Sequence, residues 1–231
     1  MHNAMTTAIL FFSRTPAAEA RRKTLAPQRN EAVVETLIQH TVSRAEKTGL
    51  PVYHCFTPDQ AGATFGERLA NAMEAVYAQG HEALIVIGND SPGLTTSDLL
   101  LAAQTLRNGQ LVLGPARDGG VYLIGMTAAA YRREAFINLA WETPQLQAAF
   151  RNYLRTAQVA ARFLIPRIDI DSATDLQRFL NCLSPGNSLK KQLERIMLTP
   201  YRALIFPPVT PQPTQGVLAC PFLRGPPVSF C

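Results

Sequence analysis

Two aspartates, each set among glycines, are the residues of this chain best placed to do chemistry. Asp90 stands in Gly88-Asn89-Asp90-Ser91-Pro92-Gly93, and Asp118 in Ala116-Arg117-Asp118-Gly119-Gly120. A carboxylate beside glycines, which let the backbone approach a ligand closely, can hold a hard divalent cation or orient a polar substrate. A cation held by one or two carboxylates offsets the negative charge of phosphate groups. A local role competes for Asp90, because an aspartate in such a turn also closes an Asx turn or caps a helix.

The elements around the two acids give them a common address. Ala83-Leu84-Ile85-Val86-Ile87 is an unbroken apolar run, the mark of a strand buried on both faces in a parallel sheet. Asp90 follows it directly. Thr95-Thr96-Ser97-Asp98 then offers N-caps for a helix with Leu99, Leu100, Ala103 and Leu106 on its apolar face, closed by Asn108-Gly109. Leu111-Val112-Leu113 is a second buried strand, and Asp118 lies just beyond it. The predicted unit is strand, helix, strand, with an acid past each strand. In open α/β sheets, ligands bind in the crevice outside the carboxyl ends of the strands.

A third element can bind anions. Gln60-Ala61-Gly62-Ala63-Thr64-Phe65-Gly66-Glu67-Arg68-Leu69 opens a helix predicted to run to Gln79. Glycines at a helix N-terminus expose backbone N–H groups and the positive end of the dipole, and Arg68 one turn in can add a planar, bidentate contact. The plain alternative is a helix cap with Glu67 and Arg68 facing solvent.

Ile87-Gly88-Asn89-Asp90-Ser91-Pro92-Gly93-Leu94 and Val112-Leu113-Gly114-Pro115-Ala116-Arg117-Asp118-Gly119-Gly120-Val121-Tyr122-Leu123-Ile124-Gly125 together resemble a paired signature. It belongs to a bacterial glycosyltransferase-A-like family of unknown physiological role, the selenodomain-associated transferase 1 type. That family sits in the nucleotide-diphospho-sugar transferase superfamily, with molybdopterin-guanine-dinucleotide synthases and phospholactate guanylyltransferases. The segment from Gln60 to Leu69 is similar to the family's QxGxxxGxRL element. The resemblance spans roughly residues 7 to 180 and implies several roles. Asp90 would take the place of the metal-binding DxD motif and hold magnesium or manganese. The second ligand is open between Asp118 and either Asp169 or Asp171, of which Asp171 is carried forward. Asp118 with Gly119 and Gly120 would contact the transferred group or the acceptor. Gln60, Gly62, Gly66 and Arg68 would hold the nucleotide, and Arg14 and Lys23 would pair with its phosphates by charge-assisted hydrogen bonds.

The chain departs from the superfamily in two places. No glycine occurs between Ser13 and Leu25, so the phosphate-cradling loop of the better-known nucleotidyltransferases is absent. At Asp90-Ser91-Pro92 there is one acid where many glycosyltransferases have two. The first departure tilts the reading from nucleotidyl toward glycosyl transfer, and both together motivate a non-catalytic binding module on the same fold. An ordinary Rossmann dehydrogenase is disfavoured, because no G-x-G-x-x-G follows the first strand.

The rest of the chain sets bounds. Its 231 residues, 47% apolar and 17% charged, suffice for one well-packed domain and argue against disorder. A net charge of +5 suits anionic ligands such as nucleotide phosphates, but the basic residues are spread out and no nucleic-acid-binding motif occurs. Cys55, Cys182, Cys220 and Cys231 show neither CxxC pairing nor metal-ligand spacing with histidine. The N-terminus lacks a signal-peptide pattern and no run reaches the roughly 20 apolar residues of a membrane span, so a cytoplasmic protein with reduced thiols is expected.

In chain order, strands are predicted at Thr7–Phe12, Pro51–Phe56 and Arg162–Pro166. Further helices are predicted at Asn30–Lys47, Thr127–Phe136, Gln145–Ala157 and Asp175–Leu183. Arg21 and Arg22 read equally as a solvated basic helix start. His54 and Cys55 read as strand packing rather than ligand or nucleophile. Trp141, the single tryptophan, could floor an acceptor pocket or fill core. Asp169-Ile170-Asp171-Ser172-Ala173-Thr174-Asp175-Leu176 resembles the superfamily's closing DIDTPEDL element, with Ser172 or Thr174 as helix caps.

The expectation is an α/β domain over residues 1–183, a three-layer, mixed and mainly parallel sheet of glycosyltransferase-A (Rossmann-like) type. A short helix, Leu189–Leu198, and a proline-rich tail follow within 184–231, the tail's aromatic residues suggesting that it docks on a body. The expected partners are a nucleotide-sugar or nucleoside triphosphate and a small acceptor.

Overall fold

Apolar runs without polar alternation make the centre of the sheet. The structure, a computed structural model, describes residues 5–198. β1 (Thr7–Ser13) and β3 (Ala83–Ile87) are buried at every position. Successive strand side chains point to opposite faces, so both faces of the sheet are covered. Phe11, Ile9, Leu10, Leu84 and Ile85 are fully buried, each contributing roughly 1.5–3 kcal/mol of transfer free energy.

β2 (Val52–Phe56), β4 (Leu111–Pro115), β5 (Val121–Thr127) and β6 (Ala161–Phe163) complete a six-stranded sheet of order β2-β1-β3-β5-β4-β6. The β1–β2, β1–β3 and β4–β6 pairs are parallel. β5 is antiparallel to both β3 and β4. The sheet is therefore mixed and mostly parallel, as expected. What differs is the strand, helix, strand unit, whose two strands are not neighbours. β5 lies between β3 and β4, formed by the apolar run Val121–Met126, which the sequence reading used only as part of a motif. Because β5 continues to Thr127, the helix predicted over Thr127–Phe136 shrinks to α5 (Arg133–Ile137) behind a turn closed by the Ala130 N–H on the Thr127 carbonyl.

Capping boxes fix the start of three helices. Thr64, Thr95 and Ser172 each form a capping box, with Glu67, Asp98 and Asp175 respectively, at α3 (Phe65–Tyr77), α4 (Thr96–Arg107) and α7 (Ala173–Cys182). Ser172, not Thr174, is the α7 cap, so that helix begins two residues earlier than predicted. α1 (Pro16–Ala20), α2 (Asn30–Glu46) and α6 (Leu146–Thr156) fill the remaining connections. α2 and α4 touch one another, whereas α3 packs with α5. α8 (Ser188–Leu198) packs on α2 and buries Leu189 and Leu193. The proline-rich tail, with Cys220 and Cys231, lies outside the described residues. No described helix is long and apolar enough to cross a membrane.

Candidate functional site

A crevice of about 310 Å³ opens at the carboxyl ends of β1 and β3. Phe12, Ser13, Gly88, Asn89 and Asp90, from the ends of β1 and β3, line it with Arg14, Lys23, Gln60 and Arg68. Gly120, Val121 and Tyr122, at and just before the start of β5, line it too, as do Trp141 and Glu142. The register explains the meeting: β5 runs antiparallel, so Leu123 pairs with Ile87 and the beginning of β5 lies beside the end of β3. A larger depression, about 650 Å³, lies toward the opposite end of β5, near Thr127, Ala130, Arg132 and Tyr153, and no carboxylate lines it.

Lys23 is the electrostatic centre of the crevice. Its Nζ donates to Asp90 Oδ1 at 2.6 Å and lies 2.9 Å from Asp171 Oδ1 and 3.2 Å from Glu19 Oε1. A fourth contact goes to the Ile170 carbonyl at 3.2 Å. Its side chain is 12% exposed, whereas Asp90 and Asp171 keep 46% and 57% of theirs. Burial works to lower the Lys23 pKa, but Asp90 and then Asp171 and Glu19 hold it above the ordinary lysine value.

One ammonium and the Arg14 guanidinium face three carboxylates here. Asp90 is half open to the crevice yet ringed by protein. Burial pushes its carboxyl up, Lys23 opposes, and Glu19 and Asp171 add to the rise. Asp169, which accepts a hydrogen bond from the Ser91 hydroxyl, is pushed up to about 7 by burial and by the charges of Asp90, Asp118 and Asp171.

Backbone pairing brings these acids together. The Ile170 N–H donates to the Asp90 carbonyl at 2.8 Å, and Arg167 bridges Ala116 in parallel register. The segment after β6 is thus zipped along the ends of β3 and β4, setting Asp169 and Asp171 beside Asp90. Arg167 also pairs with Asp98 and lies over the Tyr122 ring. His40 on α2 steadies the turn after Asp90. Its ring accepts from Arg44 Nε at 2.9 Å and lies beside the Pro92 backbone.

Of the residues singled out from sequence, Arg14, Lys23, Gln60, Arg68, Gly120, Asp90 and Asp171 line the crevice. Arg14 lies 3.7 Å from Glu19. Gln60 donates to the Ser13 and Cys55 carbonyls, tying the ends of β1 and β2 together. Arg68 contacts the Ala63 carbonyl at 3.4 Å and pairs with no carboxylate among the described residues.

Gly62, Gly66, Asp118 and Gly119 are not part of the crevice wall. The Glu67 carboxylate accepts from the Ala63 and Thr64 N–H groups, and Thr64 Oγ1 accepts from the Glu67 N–H. The N-terminus of α3 therefore carries an anion of its own, and Gly66 is closely packed. A Cβ on Gly66 would lie 2.6 Å from the Ile137 carbonyl oxygen and 2.7 Å from Trp141. Asp118 is exposed and folds back so that Oδ1 accepts the Gly120 N–H at 2.9 Å. Gly119 has φ +97 and a Cβ there would strike the Pro144 carbonyl. Gln147 Nε2 donates to the Ala116 and Gly120 carbonyls, locking this loop.

Glu19 was not singled out from sequence. It is 3% exposed and sits between Arg14 and Lys23, and its only sequence signal is the four-residue spacing to Lys23 on a helix start. Cys55 is buried, with its thiol pushed up to about 12, mainly by burial and further by Asp59, and His54 stacks on Phe56; both are packing residues. Trp141 both packs in the core and borders the crevice. Nε1 donates to the Phe136 carbonyl at 2.8 Å within a cluster of Phe65, Phe136 and Phe150, and the residue also lines the crevice.

The acids fit a divalent cation in one way. Among the described residues no three His, Cys, Asp or Glu side chains form a ready metal cage. Asp90 and Asp171 are hard oxygen donors that already converge on one cationic atom, Lys23 Nζ. A pair of this kind suits magnesium or manganese that completes its shell with substrate phosphates and water.

The fold has solved relatives. A "putative nucleotide-diphospho-sugar transferase" from Desulfovibrio desulfuricans G20 is 21% identical, with a TM-score of 0.75 over 82% of this chain and 94% of that one. Rv0371c of Mycobacterium tuberculosis H37Rv, crystallised with manganese, is more distant at 13% identity and a TM-score of 0.47, over 77% of this chain and all of that one. No curated protein matches the chain. Residues 23–143 match the family described as "Uncharacterized protein conserved in bacteria (DUF2064)". With the two motif strands and their acids inside that span, the chain belongs to this bacterial family.

Proposed function

We propose that this chain is a glycosyltransferase that takes a sugar from a nucleotide-diphospho-sugar donor and passes it to a small acceptor, with magnesium or manganese at Asp90 and Asp171. The observation that carries the reading is the convergence of Asp90 and Asp171 on one cation beside Arg14 and Arg68 in the crevice. The sheet is read as the middle layer of three, which leaves the strand ends at Ser13 and Gly88 as the open crevice.

A bound divalent cation would offset the charge that builds on the departing diphosphate. Arg68, which pairs with no carboxylate among the described residues, would add a planar contact to phosphate oxygens. Trp141 and Gly120, which also line the crevice, would face the sugar and acceptor, Gly120 allowing close approach. Asp118, tethered to the Gly120 N–H, would fix that loop and reach the transferred group only by leaving its turn. All these residues lie within 1–183, the span taken as the transferase domain, and the short helix α8 lines no part of the crevice.

Thermal shift of the full chain against nucleoside diphosphates, triphosphates and nucleotide-sugars, with and without manganese, tests the reading. A ligand present at 100 times its Kd stabilises the native state by about 2.7 kcal/mol. The expected result is a manganese-dependent shift, selective for one nucleotide-sugar and lost in Asp90→Ala. A shift with triphosphates alone would move the reading to nucleotidyl transfer. No shift with any of them would leave a binding module as the better account.

A further inference from the structure

The group that occupies the meeting point of Asp90 and Asp171 is a side chain of the protein itself. Lys23 Nζ sits 2.6 and 2.9 Å from the two carboxylates, at the place where the proposed function puts a divalent cation. An ammonium this close to both Oδ1 atoms competes with a metal for them. Lys23 has somewhere else to go, because Glu19, one helical turn earlier, lies 3.2 Å from Nζ and is itself buried. Leaving Asp90 and Asp171 therefore does not strand an unpaired ammonium in low dielectric, a move that otherwise costs several kcal/mol. Glu19, Asp90 and Asp171 also leave excess negative charge around Lys23, even with Arg14 beside Glu19. A divalent ion added to the cluster is attracted rather than repelled by the net charge.

We propose that Lys23 is a tethered cation that keeps Asp90 and Asp171 closed to metal until a divalent ion displaces it, with Glu19 as the positioning residue that holds the released ammonium. The inference rests on the metal assignment of the proposed function and adds its control. The exchange is balanced: the metal takes the two carboxylates, and the ammonium stays protonated and moves to Glu19 and toward the phosphates. The crevice thus binds metal weakly by itself and well when a nucleotide diphosphate brings further oxygens to the ion. Lys23 then acts at two times, as a stand-in cation in the resting site and as a phosphate contact in the loaded one.

Two measurements on the full chain test this. In the first, free manganese is followed by electron paramagnetic resonance during titration of wild type, Lys23→Met and Asp90→Asn, without nucleotide. The expected result is at least tenfold tighter binding to Lys23→Met than to wild type, with binding lost in Asp90→Asn. Loss in Asp90→Asn without a gain in Lys23→Met overturns the displacement but leaves the metal site standing. Equal binding to Asp90→Asn and wild type overturns both, as does absence of binding to all three.

The second measurement uses wild type alone, so it survives any folding defect of Lys23→Met. Acetylation of Lys23 by acetic anhydride is read by mass spectrometry with and without saturating magnesium. Release from Asp90 and Asp171 raises the Lys23 labelling rate several-fold while other lysines stay constant. An unchanged Lys23 rate at magnesium saturation refutes displacement, whereas a structural lysine would give no such response to metal.

Discussion

Replacing Gly66 with alanine sets two effects of known sign against each other. Alanine in a helix is favoured over glycine by about 0.5–1 kcal/mol, so an open site would gain stability. Gly66 is not open. Its added Cβ would lie 2.6 Å from the Ile137 carbonyl oxygen and 2.7 Å from both Cδ1 and Nε1 of Trp141. The carbonyl is backbone, and Trp141 is held by its 2.8 Å hydrogen bond to Phe136 and by rings 4.9 to 5.5 Å away. Overpacking of this kind costs about 1–3 kcal/mol, and losing the indole hydrogen bond about 1 kcal/mol more. The clash outweighs the propensity, and Gly66→Ala is expected to destabilise by about 1–3 kcal/mol. Trp141 is the chain's only tryptophan, so its fluorescence reports on this contact in the same urea titration that gives the stability. Emission shifts to the red in the folded variant, and nucleotide-sugar affinity falls because Trp141 lines the crevice. A variant within about 0.5 kcal/mol of wild type, the range of ordinary surface changes, with unchanged emission would show that Gly66 is not a packing glycine and would refute the reasoning.

Two other perturbations test the scaffold away from the acids. Burial, with Arg44 and Lys47 adding to it, lowers His40 to about 4, against an unfolded value of about 6.5. The unfolded chain then takes the proton first, so stability is full above pH 6.5 and falls as pH drops toward 4. Between pH 7 and pH 5 wild type should lose on the order of 1 kcal/mol more than His40→Gln, since the ring is only partly buried and solvent screens part of the shift, measured by urea unfolding at each pH; parallel losses would contradict a neutral imidazole held in the fold. Gln158, just past α6, has φ +53 and is exposed. Glycine there removes a left-handed strain of about 1 kcal/mol, so Gln158→Gly should raise the Tm by roughly 2–4 °C, and a drop would mean that the side chain makes a contact of its own.

What the sequence shows of this protein follows from how local the signal is. Ala83–Ile87 is apolar at every position because both faces are buried, so the strand and the acid after it are legible together. Capping boxes are equally local, and Thr95 with Asp98 could be read from four residues. The N-terminus of α3 carries two compatible local messages. Glycines predict an open anion site, while Thr64 and Glu67 predict a box that fills it, and the box prevails through the two N–H bonds accepted by Glu67. Glu19 and Lys23 are the opposite case. Lysine after the first strand reads as a phosphate contact, because Asp90 and Asp171 lie 67 and 148 residues away in the chain and only the fold brings them to it. The sequence carries the charge of Lys23 and not its partners.

The antiparallel strand ties the fold to the site. Were β5 parallel to β3, its first residues would lie beside Ala83, at the end of the sheet remote from the acids. Running the other way, it pairs Leu123 with Ile87 and Thr127 with Ala83. Gly120 and Tyr122 then arrive at the carboxyl edge from the start of a strand, next to Asp90 arriving from the end of one. The same reversal carries the Asp118 turn to that edge, where Gln147 and Pro144 hold it in place. β4, displaced one position by β5, pairs in parallel with β6 and leads Arg167 to Ala116 and Ile170 to Asp90. Asp171 reaches Lys23 by that route. One strand inserted against the prevailing direction thus helps gather residues from three parts of the chain, Glu19, Asp90 and Ile170 with Asp171, around a single ammonium.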